Sequence, residues 1–145
     1  MKKALVFCCT MALVFACAKY PEGGLHKLAK GHMMGTWKMT AYYMNGFDYS
    51  DTVLVLNFQE TFNEGGTFER KYIDTSGIYH NYGGGWDIAG ERTTLKIFAD
   101  STYKLTPMIN NTATNFTIDR LTKKDLWYSF EASNGKHQLR FNKIN

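Results

Sequence analysis

Side chains capable of nucleophilic, acid–base or metal chemistry are few in this chain of 145 residues. Of its four His, His26 and His32 stand six positions apart, a spacing that does not bring two imidazoles together on one helical face. All three Cys fall within the first 17 residues, and no Ser occupies a nucleophile-elbow pattern. We therefore predict no catalytic residue, no metal site and no cofactor, and we expect a protein that is not an enzyme.

The amino terminus carries the clearest chemical signal. Two lysines precede a largely apolar run of 12 residues at positions 4–15, which is too short to cross a bilayer because a membrane-spanning helix needs ~20 apolar residues. Residues 1–16 are therefore predicted to be a secretory signal peptide. Val14, Phe15 and Ala16 before Cys17 resemble a bacterial lipobox, so we expect Cys17 to carry diacylglycerol on its sulfur and an acyl chain such as palmitate on the new amino terminus. The alternative is that Cys17 merely ends an ordinary signal peptide.

Cleavage before Cys17 changes what the composition implies. It removes Lys2 and Lys3, so the formal net charge falls from +4 to +2, which leaves no footprint for nucleic acid. A single remaining Cys excludes both a disulfide framework and a cysteine-based zinc site. Residues 17–27 contain one Pro and two Gly and are predicted to form a lipidated tether, which leaves residues 28–145 as one folded domain.

Beyond the first 34 residues the hydrophobic period is two, which indicates β-strands. One strand starts near Trp37, a second is predicted over residues 52–62, and hairpin turns are predicted at residues 63–66 and 133–135. The chain offers eight or nine such strands and has only 2 Pro. This pattern predicts an all-β fold, an antiparallel up-and-down β-barrel of about eight strands with a short N-terminal helical turn. A two-sheet sandwich is the alternative.

Strand parity predicts a strongly aromatic interior. The predicted interior residues are Met39, Tyr43, Leu54, Leu56, Phe58, Phe68, Tyr72, Tyr82, Ile88, Leu95, Ile97, Ile118, Leu126, Tyr128, Phe130, Leu139 and Phe141. Arg70 and His80 share their parity, and ligand sites typically mix an apolar lining with a few polar groups. The candidate ligand-binding residues are therefore Arg70, His80, Tyr43, Tyr72, Tyr82 and Tyr128, with Arg70 suggesting an anionic head such as that of a fatty acid. The alternative is a packed core, because small barrels are commonly filled by their own side chains.

Several short motifs share an order and spacing along the chain. They are Gly35-Thr36-Trp37, residues 61–68 (TFNEGGTF), 85–88 (GWDI), 94–97 (TLKI), 116–122 (FTIDRLT), 125–128 (DLWY) and 140–143 (RFNK). Together, over residues 28–143, they resemble the lipocalin-like lipoproteins common in Bacteroidota. The resemblance implies that Trp37 plugs the closed end of the barrel. It also implies that a basic residue of the last strand, best matched by Arg140 with Lys143 as the alternative, lies across that tryptophan by a cation–π contact.

The sequence therefore predicts a cell-envelope lipoprotein, anchored through Cys17 and most simply located in the outer membrane. Its expected role is that of a non-enzymatic binding module for a small hydrophobic or amphipathic ligand inside the barrel. The alternative role is a protein-interaction module, an inhibitor or accessory subunit, with a filled barrel core. We expect the membrane and a small molecule as partners, and no nucleic acid.

Overall fold

The computed structural model describes residues 26–90, 93–99 and 115–144. Its elements, in chain order, are α1 (His26–Met33), β1 (Gly35–Met44), β2 (Phe47–Asp48), α2 (Ser50–Leu54), β3 (Gln59–Phe62), β4 (Thr67–Ile73), β5 (Tyr79–Ala89), β6 (Thr94–Ala99), β7 (Asn115–Leu121), β8 (Asp125–Ala132) and β9 (Gly135–Lys143). The predicted signal peptide, Cys17 and most of the tether lie outside the described residues. Among those described, no helix has the length and apolarity needed to cross a bilayer.

The strands form a closed antiparallel barrel. Successive strands from β3 to β9 pair with their neighbours, and β1 pairs with β3 on one side and with β9 on the other. The two-residue β2 adds to the end of β1 and is not part of the closed ring of eight. The β1–β9 pairing excludes the sandwich, in which two sheets keep separate edges. The predicted up-and-down barrel of about eight strands is confirmed.

The barrel has two different ends. At the α1 end, α1 packs against β5 and β7. Strand β1 begins at this end of the barrel, and strand β9 ends there. At the α2 end, α2 packs against β1, and the β8–β9 turn lies at residues 133–134. The predicted domain start at residue 28 falls within α1, which begins at His26.

The hairpin turns at residues 63–66 and 133–135 are confirmed, and the second shows why glycine is needed there. Gly135 has a φ of 117°, and a Cβ at this position would come within 2.0 Å of the Asn45 side chain. That side chain donates to the Asn134 carbonyl at 3.0 Å and accepts from the Lys136 amide at 2.9 Å. The β8–β9 turn is thereby tied to the end of β1.

Two local features overturn parts of the predicted interior. The helix α2 begins at Ser50, whose amide donates to Asp48 Oδ1 at 2.8 Å, and it extends into the segment where a strand was predicted. Leu54 therefore lies on a helix and is 40% exposed. A β-bulge between Met39 and Ala41 then reverses the parity of β1. Because of that bulge Tyr42 is buried, whereas Tyr43 is directed to the outer surface.

The rest of the predicted interior set is confirmed. Tyr82 is partly buried, and the others are buried: Met39, Leu56, Phe58, Phe68, Tyr72, Ile88, Leu95, Ile97, Ile118, Leu126, Tyr128, Phe130, Leu139 and Phe141. Phe62, Trp86 and Phe116 join this core although they were not predicted. Small barrels of eight strands enclose just enough space for such side chains.

Candidate functional site

A charged cluster lies in the middle of the barrel interior, and we call Glu60, Arg70 and Tyr128 the polar centre. Glu60 on β3 and Arg70 on β4 are direct cross-strand partners, and Tyr128 reaches them from β8. All three residues are fully buried. Arg70 Nη2 donates to Glu60 Oε1 in an ion pair and to the Tyr128 hydroxyl at 2.9 Å, while that hydroxyl donates to Glu60 Oε1 at 2.8 Å.

The polar centre is buried at a substantial desolvation cost, which close pairing offsets. Phenyl rings flank the guanidinium, with Arg70 Cζ lying 5.8 Å from the Phe58 ring centroid and 5.9 Å from that of Phe68. Glu60 Oε1 receives both donors, whereas Oε2, although buried, accepts no hydrogen bond within the described part of the chain. Side chains of this kind can orient a polar group inside an otherwise apolar barrel.

Next to the polar centre, towards the α2 end, lie four rings that we call the aromatic stack: Phe58, Tyr72, His80 and Tyr82. The Tyr72 ring stacks on Phe58 and on His80, with centroid distances of 4.8 Å in each case. The hydroxyls of Tyr72 and Tyr82 are 3.3 Å apart, and Tyr82 is the cross-strand partner of Arg70. The aromatic stack is therefore continuous with the polar centre.

Two ionisable groups of this region are perturbed. Burial, followed by the hydrogen bond and charge of Tyr82, raises the pKa of Tyr72 well above its ordinary value. His80 Nε2 lies 2.8 Å from Asp74 Oδ2. The hydrogen bond from His80, with those from backbone amides, holds the pKa of Asp74 below its usual range. Tyr72 therefore remains a neutral hydroxyl and Asp74 an anion across the physiological range.

The α1 end is closed by Trp37, which is fully buried. Its indole Nε1 donates to the Met33 carbonyl at 2.7 Å, which ties α1 to β1. Lys143 Nζ lies 5.0 Å from the Trp37 ring centroid and donates to the His32 carbonyl at 3.1 Å. Burial lowers the pKa of Lys143. The predicted contact of Arg140 with Trp37 is wrong, and Lys143 takes that place.

Arg140 lies on the outer surface because it alternates with Leu139 and Phe141, which are both fully buried. Its guanidinium lies between two other rings, 4.3 Å from the Tyr43 centroid and 4.1 Å from that of Trp127. Tyr43 and Arg140, with Gly46, Lys136 and Gln138, border a groove of about 300 Å³ on the outside of β1 and β9. This groove is separate from the barrel interior.

Solved structures share this barrel. A lipocalin-like protein from Bacteroides uniformis superimposes with a TM-score of 0.59 at 17% identity, covering 79% of this chain and 100% of that chain. A DUF4847 family protein from Bacteroides vulgatus gives a TM-score of 0.50 at 18% identity, covering 79% and 96%. Japanin from Rhipicephalus appendiculatus, bound to cholesterol, gives a TM-score of 0.51 at 11% identity, covering 77% of this chain and 75% of that chain. No protein-family model matches the chain, and no curated protein matches it significantly.

The fold is lipocalin-like. The lipocalin-like barrel separates the six predicted ligand-binding residues into three groups. Arg70 and Tyr128 meet in the polar centre, and Tyr72, His80 and Tyr82 meet in the aromatic stack. Tyr43 is apart from both groups on the outer surface, so its predicted interior position is wrong. That the other five contact a ligand stays a prediction.

The prediction from sequence missed Glu60, although a signal for it was present. Glu60 shares the i, i+2 parity of Phe58 and Phe62, and its cross-strand partner is Arg70, which parity had already placed inside. A carboxylate at that register neutralises the arginine. The charge that had suggested an anionic ligand is therefore already matched within the lipocalin-like barrel.

A second buried polar group, His137 at the start of β9, was also missed. The Tyr42 hydroxyl donates to His137 Nδ1 at 2.6 Å, and Nε2–H donates to Asn134 Oδ1 at 2.7 Å. The ring stacks on Phe130 with centroids 4.8 Å apart. Burial lowers the pKa of His137 and raises that of Tyr42 to about 12. The described residues contain no group of three or more His, Cys, Asp or Glu side chains placed to hold a metal ion.

Proposed function

We propose that this protein is a non-enzymatic, lipid-anchored module that binds a small hydrophobic or amphipathic molecule inside its barrel. The observation that carries the proposal is the continuity of the aromatic stack with the polar centre. Tyr82 joins the two as the cross-strand partner of Arg70, and the Phe58 ring contacts both Arg70 and Tyr72. Apolar lining that leads to a few fixed polar groups is the composition of small-molecule sites in proteins.

The fold supports the same proposal. Small eight-stranded barrels have room either for their own side chains or for one small ligand. Japanin, which shares the fold, was solved bound to cholesterol. In this chain the ligand would occupy the half of the barrel between the polar centre and the α2 end, because Trp37 and its neighbours fill the α1 end.

The proposed location is the cell envelope, through a lipid on Cys17, with the outer membrane as the membrane concerned. The support is the sequence of residues 1–17, in which a cationic start, an apolar run and a small residue precede cysteine. We expect the Cys17→Ser variant to lose membrane partitioning. Unchanged membrane attachment of this variant would contradict the anchor without affecting the proposed binding site.

The binding proposal is tested with matched tyrosine variants. The full-length protein is extracted in mild detergent, analysed by native mass spectrometry for a copurifying molecule, and titrated with a neutral fluorescent apolar probe. Tyr82→Ala removes a ring of the aromatic stack and is expected to weaken probe binding at least tenfold. Tyr43→Ala removes a tyrosine from the outer surface and is expected to leave it unchanged. Equal effects of both variants, or the absence of any binding, would contradict the proposal.

A second candidate function, that of a protein-interaction module, is favoured by apolar residues exposed near the α2 end. Phe47 and Val55 are each 71% exposed, and Ile78, Tyr79 and Phe98 are each more than half exposed. Scattered exposed apolar residues are normal, but contiguous ones often mark interaction sites. A stable complex that is lost on Phe47→Ser, in a protein that binds neither probe nor copurifying molecule, would favour this second function.

A further inference from the structure

The two carboxylate oxygens of Glu60 are in different situations. Oε1 accepts from both Arg70 and the Tyr128 hydroxyl, whereas Oε2 is buried and has no donor among the residues that the structure describes. The Glu60 side chain is completely shielded from solvent. A buried charged oxygen without a donor is costly, and a hydrogen bond to such a group is stronger than one between neutral partners. The polar centre therefore has an acceptor that an added donor would satisfy.

The charge balance of the polar centre restricts what that donor can be. Arg70 and Glu60 neutralise each other as a fully buried ion pair. A ligand carboxylate would bring a second negative charge next to Glu60 in a medium of low dielectric constant, where like charges repel strongly. A head group that donates a hydrogen bond and carries no charge satisfies Glu60 Oε2 without adding like-charge repulsion. An alcohol hydroxyl is the simplest such group.

From this geometry we propose that the barrel selects uncharged amphiphiles bearing a hydroxyl group, and that the hydroxyl donates to Glu60 Oε2. This inference rests on the proposed ligand-binding function and replaces the anionic head that Arg70 alone had suggested. The apolar part of the ligand then lies along the aromatic stack, because Phe58 bridges Arg70 and Tyr72. Glu60 is the specificity-determining residue in this arrangement.

The test compares three amphiphiles of equal chain length on the full-length protein held in amphipol. Decanol, decyl methyl ether and decanoate each compete with a neutral fluorescent apolar probe, with protein-free amphipol as the blank. We expect decanol to compete about tenfold better than the ether, which lacks the donor, and better than decanoate by at least the same factor. These comparisons need no variant and do not depend on the folding of one.

Two variants then assign the preference to Glu60. Glu60→Gln removes the negative charge and leaves that of Arg70, so the preferred competitor should change from decanol to decanoate. The double variant Glu60→Leu/Arg70→Leu removes both charges and should bind decanol and the ether within about twofold of each other. This double variant keeps the interior neutral, so it still tests the role of Glu60 if the single variant does not fold.

The outcomes separate this inference from the proposed function. If the probe binds and the ether competes as well as decanol, or decanoate competes best, the inference is wrong while ligand binding stands. Equal competition would mean that Oε2 is satisfied by a trapped water and not by the ligand. If neither the probe nor any amphiphile binds, the proposed function fails and this inference fails with it.

Discussion

The α1 end and the polar centre both hold polar groups inside the barrel, but they satisfy them in different ways. At the α1 end, the indole of Trp37 donates to the Met33 carbonyl, that of Trp86 to the Asn63 carbonyl, and Lys143 to the His32 carbonyl. In the polar centre, Glu60 and Arg70 depend on each other's charge and on the Tyr128 hydroxyl.

The difference separates stability from specificity. Backbone carbonyls are fixed by the strands and helices that carry them, so the indoles of Trp37 and Trp86 close the barrel without adding a buried charge, and of these three donors Lys143 alone is charged. Charged side chains must be desolvated as a set, and removal of one leaves the other uncompensated. We therefore expect the α1 end to control stability alone, and the polar centre to control both stability and ligand choice.

The largest expected effect is the loss of one charge from the polar centre. Glu60→Leu leaves Arg70 buried without its partner and should lower the free energy of unfolding by about 3–5 kcal/mol, measured by denaturant titration. Glu60→Leu/Arg70→Leu should recover most of this loss. Glu69→Leu, which breaks the exposed pair with Lys71, should cost less than about 1 kcal/mol. A double variant as unstable as the single one would show that charge compensation is not the reason for the pairing.

The next effect tests whether the α1 end acts on stability alone. Trp37→Phe leaves the Met33 carbonyl without its donor and reduces the buried ring, so it should cost about 2 kcal/mol of unfolding free energy. Probe affinity should stay within about twofold of the original, because Trp37, although it is the cross-strand partner of Glu60, is held by α1 through Met33 and is not one of the rings of the aromatic stack. Trp127→Phe is the matched control on the outer surface and should cost less than about 1 kcal/mol. A Trp37→Phe variant that is stable but binds poorly would remove the distinction between the two regions.

The sequence allowed the barrel to be predicted because alternation of apolar residues and glycine-containing turns are local signals. The same reasoning failed where a local backbone feature changed the parity. The bulge between Met39 and Ala41 places Tyr42 inside the barrel and Tyr43 outside it, and a short helix begins at Ser50, whose amide donates to Asp48 Oδ1, in a segment rich in Val and Leu. Neither a bulge nor a short helix can be inferred from alternation, because both interrupt it.

The candidate site was predicted in part for a different reason. Parity alone placed Arg70 and Tyr128 inside, but it did not single out Glu60, because isolated charges on strands usually face solvent. Its pairing with Arg70 depends on the β3–β4 register, which the turn at residues 63–66 sets. Combining that hairpin with the position of Arg70 would have identified Glu60 as its neutralising partner. The placement of Tyr128 opposite them depends on closure of the barrel.

A smaller effect concerns pH and the buried His137. In the folded protein, burial lowers the pKa of His137, and the charge of Glu131 opposes this only in part. In the unfolded chain the same side chain has an ordinary pKa of ~6.5, so as pH falls the unfolded chain binds a proton before the folded protein does. Stability should be complete above about pH 6.5 and decrease below it. The thermal midpoint of His137→Gln should depend less on pH in this range. Asp74, whose pKa is lowered, contributes a separate loss only below about pH 4. If the thermal midpoint of the variant changed with pH as steeply as that of the original protein, the assignment to His137 would be wrong.

The smallest expected effect compares the two basic residues of β9. Lys143→Met removes the cation over Trp37, and Arg140→Met removes the one between Tyr43 and Trp127, so each should cost about 0.5–1 kcal/mol. Indole N–H resonances in NMR spectra distinguish them better than stability does. Lys143→Met should shift the Trp37 signal and leave that of Trp127 unchanged, whereas Arg140→Met should do the reverse.

Because Lys143 lies at the closed α1 end and Arg140 on the outer surface, neither change should alter probe affinity. A loss of affinity in Arg140→Met would instead make the outer groove, and not the barrel interior, the ligand site.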